Sequence, residues 1–143
     1  MNVAAQLKAC SGIWRGNTAA STDAIDQLRA HVPFELPATY MQLLAASNGG
    51  EGDLGVEPGW IQVWPAEAVI ENNGSYAIPD GAPGLFGFGS SGGGELLAFD
   101  TRTGPPHPIV MVPFIPLGLA DAQVIAPDFD TLAEVLGTPL PAA

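Results

Sequence analysis

Positive charge is scarce in this chain. Lys8, Arg15, Arg29 and Arg102 stand against fifteen aspartates and glutamates, for a net charge of −11. A protein that holds a polyanion needs clustered lysine and arginine, so nucleic acid and anionic lipid are excluded as partners. Cysteine is scarcer still: Cys10 stands alone. No internal disulfide can form, and a lone thiol without catalytic context points to a reducing cytoplasm. Long apolar runs are missing too. No stretch suits a membrane span, and the first residues, with Lys8 and Arg15, hold no signal-peptide core. These absences predict a soluble cytoplasmic protein with no membrane partner.

Catalytic and metal-binding patterns are equally absent. His31 closes a predicted helix and His107 sits in Pro-Pro-His-Pro. Neither belongs to a metal-spaced pair, and both read as surface histidines. Ser90 and Ser91 lie beside glycines without the G-x-S-x-G frame of a nucleophile elbow. The pairs Glu51/Asp53 and Asp128/Asp130 follow no EF-hand pattern and read as solvated turn or helix-capping acids. Asp100, just before Thr101, reads as a turn former. The expectation is a protein without enzymatic activity, metal or cofactor.

The acids that are present lie unevenly. Residues 1–50 balance three basic with three acidic side chains, whereas residues 51–143 hold one basic and twelve acidic. A one-signed field of this kind steers cationic surfaces toward the protein, although acidity also serves solubility. The length of 143 residues suits one domain. With 18 glycines and 14 prolines, a helical bundle is excluded and an α+β domain rich in tight turns is favoured.

Ser21-Thr22-Asp23 offers an N-cap, and Ile25, Leu28 and Val32 then fall at helical spacing before Pro33 stops the pattern. A second helix opens at Leu36-Pro37 and places Tyr40, Leu43 and Leu44 on one face. It closes at Asn48-Gly49-Gly50, where a left-handed residue fits. Trp60-Ile-Gln-Val-Trp64 reads as a buried strand, and Pro65 then opens a brief helix through Ala66, Val69 and Ile70, ending near Asn72-Asn73-Gly74. Ile109–Val112, between Pro108 and Pro113, reads as an edge strand or short run in a mixed or antiparallel sheet. A final amphipathic helix over 128–136 presents Phe129, Leu132, Val135 and Leu136 to one side and stops at Gly137.

The run from Leu85 to Asp100 enters the glycines Gly92, Gly93 and Gly94 as one apolar segment and leaves them as another. It predicts two strands joined by a turn that needs a positive φ at one of the three glycines. A phosphate cradle is the alternative. It would require a following lysine or a helix start, and Leu96–Phe99 supplies neither.

Taken in order, Leu36-Pro37-Ala-Thr-Tyr40, Leu43-Leu44, Ser47-Asn48-Gly49-Gly50, Trp60, Trp64 with Glu67-Ala-Val69-Ile70, Phe88-Gly89-Ser90-Ser91-Gly92-Gly93-Gly94-Glu95, Phe99-Asp100 and Phe129-Asp-Thr-Leu132 form a pattern. The pattern resembles the SUKH superfamily, the group of the Smi/Knr cell-wall regulators and many bacterial immunity proteins. The resemblance spans about residues 21 to 137, which divides the chain into an N-terminal extension, 1–20, and a domain, 21–143. Two departures mark it: Glu95 stands where the family usually has aspartate, and the loop Thr103–Pro108 is unusually rich in proline.

What the resemblance implies is a single α+β domain, a mixed and mostly antiparallel sheet with helices packed against it, and a non-enzymatic binding role. In bacteria such proteins typically block a toxin, frequently a nuclease. An acidic inhibitor can cover the basic substrate surface of such a toxin. The partner-facing candidates are therefore Glu51, Asp53, Glu57, Glu67, Glu71, Asp80 and Glu95, with Trp60 or Trp64 as an aromatic anchor. Core packing is the preferred reading of both tryptophans. The alternative function is a cytoplasmic regulatory or scaffold module of the Smi/Knr type, and an uncharacterised hydrolase ranks below both.

Overall fold

The computed structural model describes residues 2–142. The described residues form α1 (Val3–Ala9), β1 (Trp14–Gly16), α2 (Thr22–His31), α3 (Ala38–Ala46), β2 (Gly50–Asp53) and β3 (Trp60–Val63). They continue as α4 (Ala66–Ser75), α5 (Ile78–Gly81), β4 (Leu85–Ser90), β5 (Glu95–Asp100), β6 (Ile109–Pro113), β7 (Gln123–Ala126) and α6 (Phe129–Ala133). The seven strands make one sheet in chain order, β1 to β7. Every pairing is antiparallel, so the sheet is an antiparallel meander and not a mixed one.

Alternation along the strands divides the core between the two faces. Ile61, Val63, Leu97 and Phe99 point to one face, where they join Leu28, Tyr40, Leu43, Leu44, Val69, Phe129 and Leu132 from the helices. Leu96, Ala98, Val110 and Val112 point to the other, where Ile78 and Ala82 of α5 cover them together with Phe114, Leu117 and Leu119. Side chains buried on both faces give β5 and β6 their almost unbroken apolar run, the pattern of a strand covered on both sides. At the centre of the first face, Tyr40 packs against Phe88, Phe99 and Phe129 at centroid distances of 5.9, 5.4 and 5.3 Å. Such edge-to-face contacts add about 1 kcal/mol each to area burial.

The caps read from sequence are present. Ser21 accepts a hydrogen bond from the Ala24 amide at the start of α2, and Asp128 accepts one from Thr131 at the start of α6. Past the end of α3, Gly49 takes a φ of +79°. Helix α4 ends at Ser75, beside the expected stop near Asn72-Asn73-Gly74, and its Asn73 side chain bonds to the sheet. Two elements differ from expectation. The strand Ile109–Pro113 is short but interior, held between β5 and β7, because both of its prolines lie at its limits. The last helix is only one turn long, and the chain then closes through an antiparallel bridge between Leu136 and Leu54.

The N-terminal segment is folded onto the rest. Val3 joins the first core, Gln6 donates to the Ala133 carbonyl, and β1 pairs with β2 through Trp14, Arg15 and Gly16.

Candidate protein-binding face

The second face of the sheet is covered only over β4 to β6. On β1 to β3 it carries Arg15, Glu51, Trp60 and Gln62, all half-buried or exposed, while Trp64, just past β3, packs against the covered cluster. Cross-strand pairing brings these residues together, because opposite residues of an antiparallel pair share a face: Arg15 lies opposite Glu51, and Glu51 opposite Gln62. A relay of hydrogen bonds then runs across the strands. Gln62 donates to Glu51 Oε2 at 3.1 Å, and Ser90 Oγ donates to Gln62 Oε1 at 3.2 Å. The Gly92 amide donates to Ser90 Oγ at 3.2 Å. Arg15 approaches Glu51 at 3.9 Å with both side chains in contact with water, an ion pair of little energetic weight.

The glycine turn forms the end of this band. Gly92 has a φ of +80°, as the sequence required of one of the three glycines. A Cβ at Gly92 would lie 3.1 Å from Cδ1 of Trp60, so the loop backbone approaches the indole where a side chain would crowd it. Ser91 Oγ donates to Glu95 Oε1 at 2.7 Å, which orients that carboxylate at the start of β5. Trp60 is therefore half-buried between turn and sheet, and Trp64 stacks on Tyr76 with centroids 6.2 Å apart.

The structure groups some of the seven acids and separates others. Glu51 begins the Gln62–Ser90–Gly92 relay and Asp53 lies opposite Trp60, whereas Glu95 is bonded to Ser91 and, with the strand parity of Leu97 and Phe99, belongs to the other face of the sheet. Asp53 is engaged in the fold: its Oδ2 accepts the Ile13 amide at 2.7 Å and pins the segment leading into β1. Glu57 sits exposed in the turn between β2 and β3. Glu67, in the first turn of α4, accepts from Asn48 Nδ2 at 2.8 Å, while Asn48 Oδ1 takes the Ala66 amide at 2.8 Å. Asn48 thus fixes the end of α3 to the start of α4. Glu71 and Asp80 lie exposed on α4 and α5, outside the relay.

Sequence reasoning gave Gln62, Ser90 and Asn48 no bridging role, because such roles follow from tertiary pairing and cannot be read from spacing. Asp100 proves more than a turn former. Both of its oxygens bind the Arg102 guanidinium, at 2.9 and 2.8 Å, and this holds its carboxyl below the ordinary carboxylate range against the opposing effect of burial. His107 is half-buried and not a free surface group, with its ring edge-on to Phe34 at 5.3 Å. Among the described residues, no three His, Cys, Asp or Glu side chains cluster closely enough to hold a metal ion. No helix among them is long and apolar enough to cross a membrane.

An antiparallel sheet with most of its helices on one face and α5 on the other, a glycine hairpin at its centre and a closing helix after the last strand together define an α+β domain of SUKH type. The chain belongs to the SMI1 / KNR4 family (SUKH-1), whose family model matches residues 19–134. A comparison with curated proteins gives no match.

Proposed function

We propose that this protein is a non-enzymatic, cytoplasmic binding module that captures and neutralises a cognate bacterial toxin with a basic surface, a nuclease being the class its charge suits best. The observation that carries the reading is the open second face of β1 to β3. There Glu51 and Asp53 of β2 lie on the same face as a half-buried Trp60 of β3, in the part of the chain that holds twelve acids against one base. An aromatic anchor beside carboxylates suits a partner surface built to hold phosphates. Membership of the SMI1 / KNR4 family fits such a role. It fits equally a regulatory interaction module of the Smi/Knr type, whose partner would not be a toxin.

The test is association with any basic toxin domain that a neighbouring gene encodes, followed by stopped-flow mixing at rising salt. Screening over about 10 Å at 0.1 M ionic strength should slow association steeply. Reversing Glu51 and Glu57 to lysine should lower the on-rate at least about tenfold with the fold unchanged. Asp53 is left intact because it pins Ile13. An on-rate indifferent both to salt and to the double reversal would place the interface elsewhere.

A further inference from the structure

We infer that the cleft between the α2–α3 loop, the β5–β6 loop and the start of α6 is an anchor pocket for one arginine side chain presented by a protein partner. The cleft has a volume of about 390 Å³ and lies among Phe34, Pro106, His107 and Phe129, with Glu35, Asp128 and Asp130 also lining it. It is distinct from the β1–β3 face, and the inference rests on the reading of the chain as a protein-binding module but not on the partner being a toxin.

Its walls are apolar and stiff. Phe34 is held edge-on by Phe86 at 5.5 Å and Phe99 at 5.6 Å, and by the His107 ring, so the aromatic wall is fixed by the sheet. The two prolines Pro105 and Pro106 have little freedom to lose on binding. Such a surface suits the methylene stem and the planar face of an arginine.

The polar groups select the head. Three carboxylates line the cleft and no lysine or arginine does. Asp128 Oδ1 caps the Thr131 amide and Asp130 Oδ1 takes the Thr39 hydroxyl, so each carboxylate keeps its second oxygen for another donor. His107 Nδ1 is buried without a hydrogen-bond partner. A neutral imidazole protonated at Nε2 offers an acceptor at Nδ1, so the side-chain groups left unpaired in the cleft, this nitrogen and the free carboxylate oxygens, are acceptors. A guanidinium, with five donors in one plane, answers such a set, and a compact ammonium answers it less well. An anion would meet three like charges, and the positive end of α3 is already faced by Asp130 through Thr39.

The test uses the full chain and blocked tripeptides, followed by amide chemical shifts. Ac-Gly-Arg-Gly-NH₂ should shift Phe34, His107 and Thr131 with saturation. The citrulline and lysine peptides should bind at least about fivefold more weakly, citrulline for want of charge and lysine for want of a planar donor array. Asp128→Asn with Asp130→Asn should weaken the arginine peptide about tenfold. Asparagine retains both the cap and the Thr39 acceptor, so the spectrum of the free protein should stay folded. Equal binding of citrulline or lysine, shifts confined to β1–β3, or no shift at about 50 mM peptide would each overturn the assignment. These readouts need no toxin: loss of toxin binding leaves the pocket assignment standing, and an inert pocket leaves the toxin reading standing.

Discussion

The side-chain amide of Asn73 is bonded twice to the backbone of Gly87: Nδ2 donates to the Gly87 carbonyl at 2.9 Å, and Oδ1 accepts the Gly87 amide at 2.8 Å. Nδ2 also donates to the Val69 carbonyl at 2.7 Å. Gly87 lies where the register of β4 against β5 shifts, so this part of the strand cannot satisfy its polar groups by regular pairing alone. One buried side chain thereby joins helix to sheet.

Asn73→Ala removes all three bonds and leaves the Gly87 amide and carbonyl buried and unpaired, so stability should fall by about 3 kcal/mol. Urea unfolding of the variant at neutral pH measures it. A loss below about 1 kcal/mol would show that water replaces the side chain.

The glycine turn should respond by position. Gly92→Ala, with φ at +80° and Trp60 at 3.1 Å from the new Cβ, should cost 1 kcal/mol or more, whereas Gly94 has nothing within 4 Å and no positive φ. Gly94→Ala should therefore be neutral in a thermal melt, and equal losses at both positions would contradict the turn geometry.

Tyr40 is fully buried, and its hydroxyl has no hydrogen-bond partner among the described residues. Burial also pushes its pKa well above the ordinary 10. Tyr40→Phe keeps the ring contacts and removes the unpaired hydroxyl, so stability should hold or rise by up to about 1 kcal/mol. Denaturant midpoints decide it, and a clear loss would reveal a partner for the hydroxyl.

The Asp100–Arg102 pair predicts a pH dependence. The folded pKa of Asp100 lies below its ordinary 3.8, so its stabilisation is present above that value and is lost as pH falls through the folded one. Because Arg102 is nearly half exposed, the contribution should be about 1 kcal/mol or less. Wild type and Asp100→Asn should differ in urea midpoint at pH 6 and converge as the pH falls through the lowered folded value.

The fold was largely legible in the sequence because its signals are local. Ser21 and Asp128 act as caps whatever surrounds them, Pro37 and Pro65 open helices, and the glycines between Phe88 and Glu95 admit only a turn. What escaped was set by distant pairing. Asn73 looks like a helix terminator until Gly87 is placed beside it, and Ile109–Pro113 looks like an edge until β7 covers its far side. The acids were visible as a charge count, but their grouping depends on register, which sets Glu51 and Asp53 on the face of Trp60 and leaves Glu95 on the other. The proline-rich loop stood out only as a departure from pattern, although it forms one wall of the cleft beside Phe34.

Because each strand pairs with the one preceding it, the sheet can form in the order in which the chain is synthesised. The aromatic centre cannot. Tyr40, Phe88 and Phe99 all await Phe129, and Leu54 awaits Leu136. A meander that formed before residues 129–136 docked would carry one bare apolar seam, open to chaperones and proteases until that segment covered it.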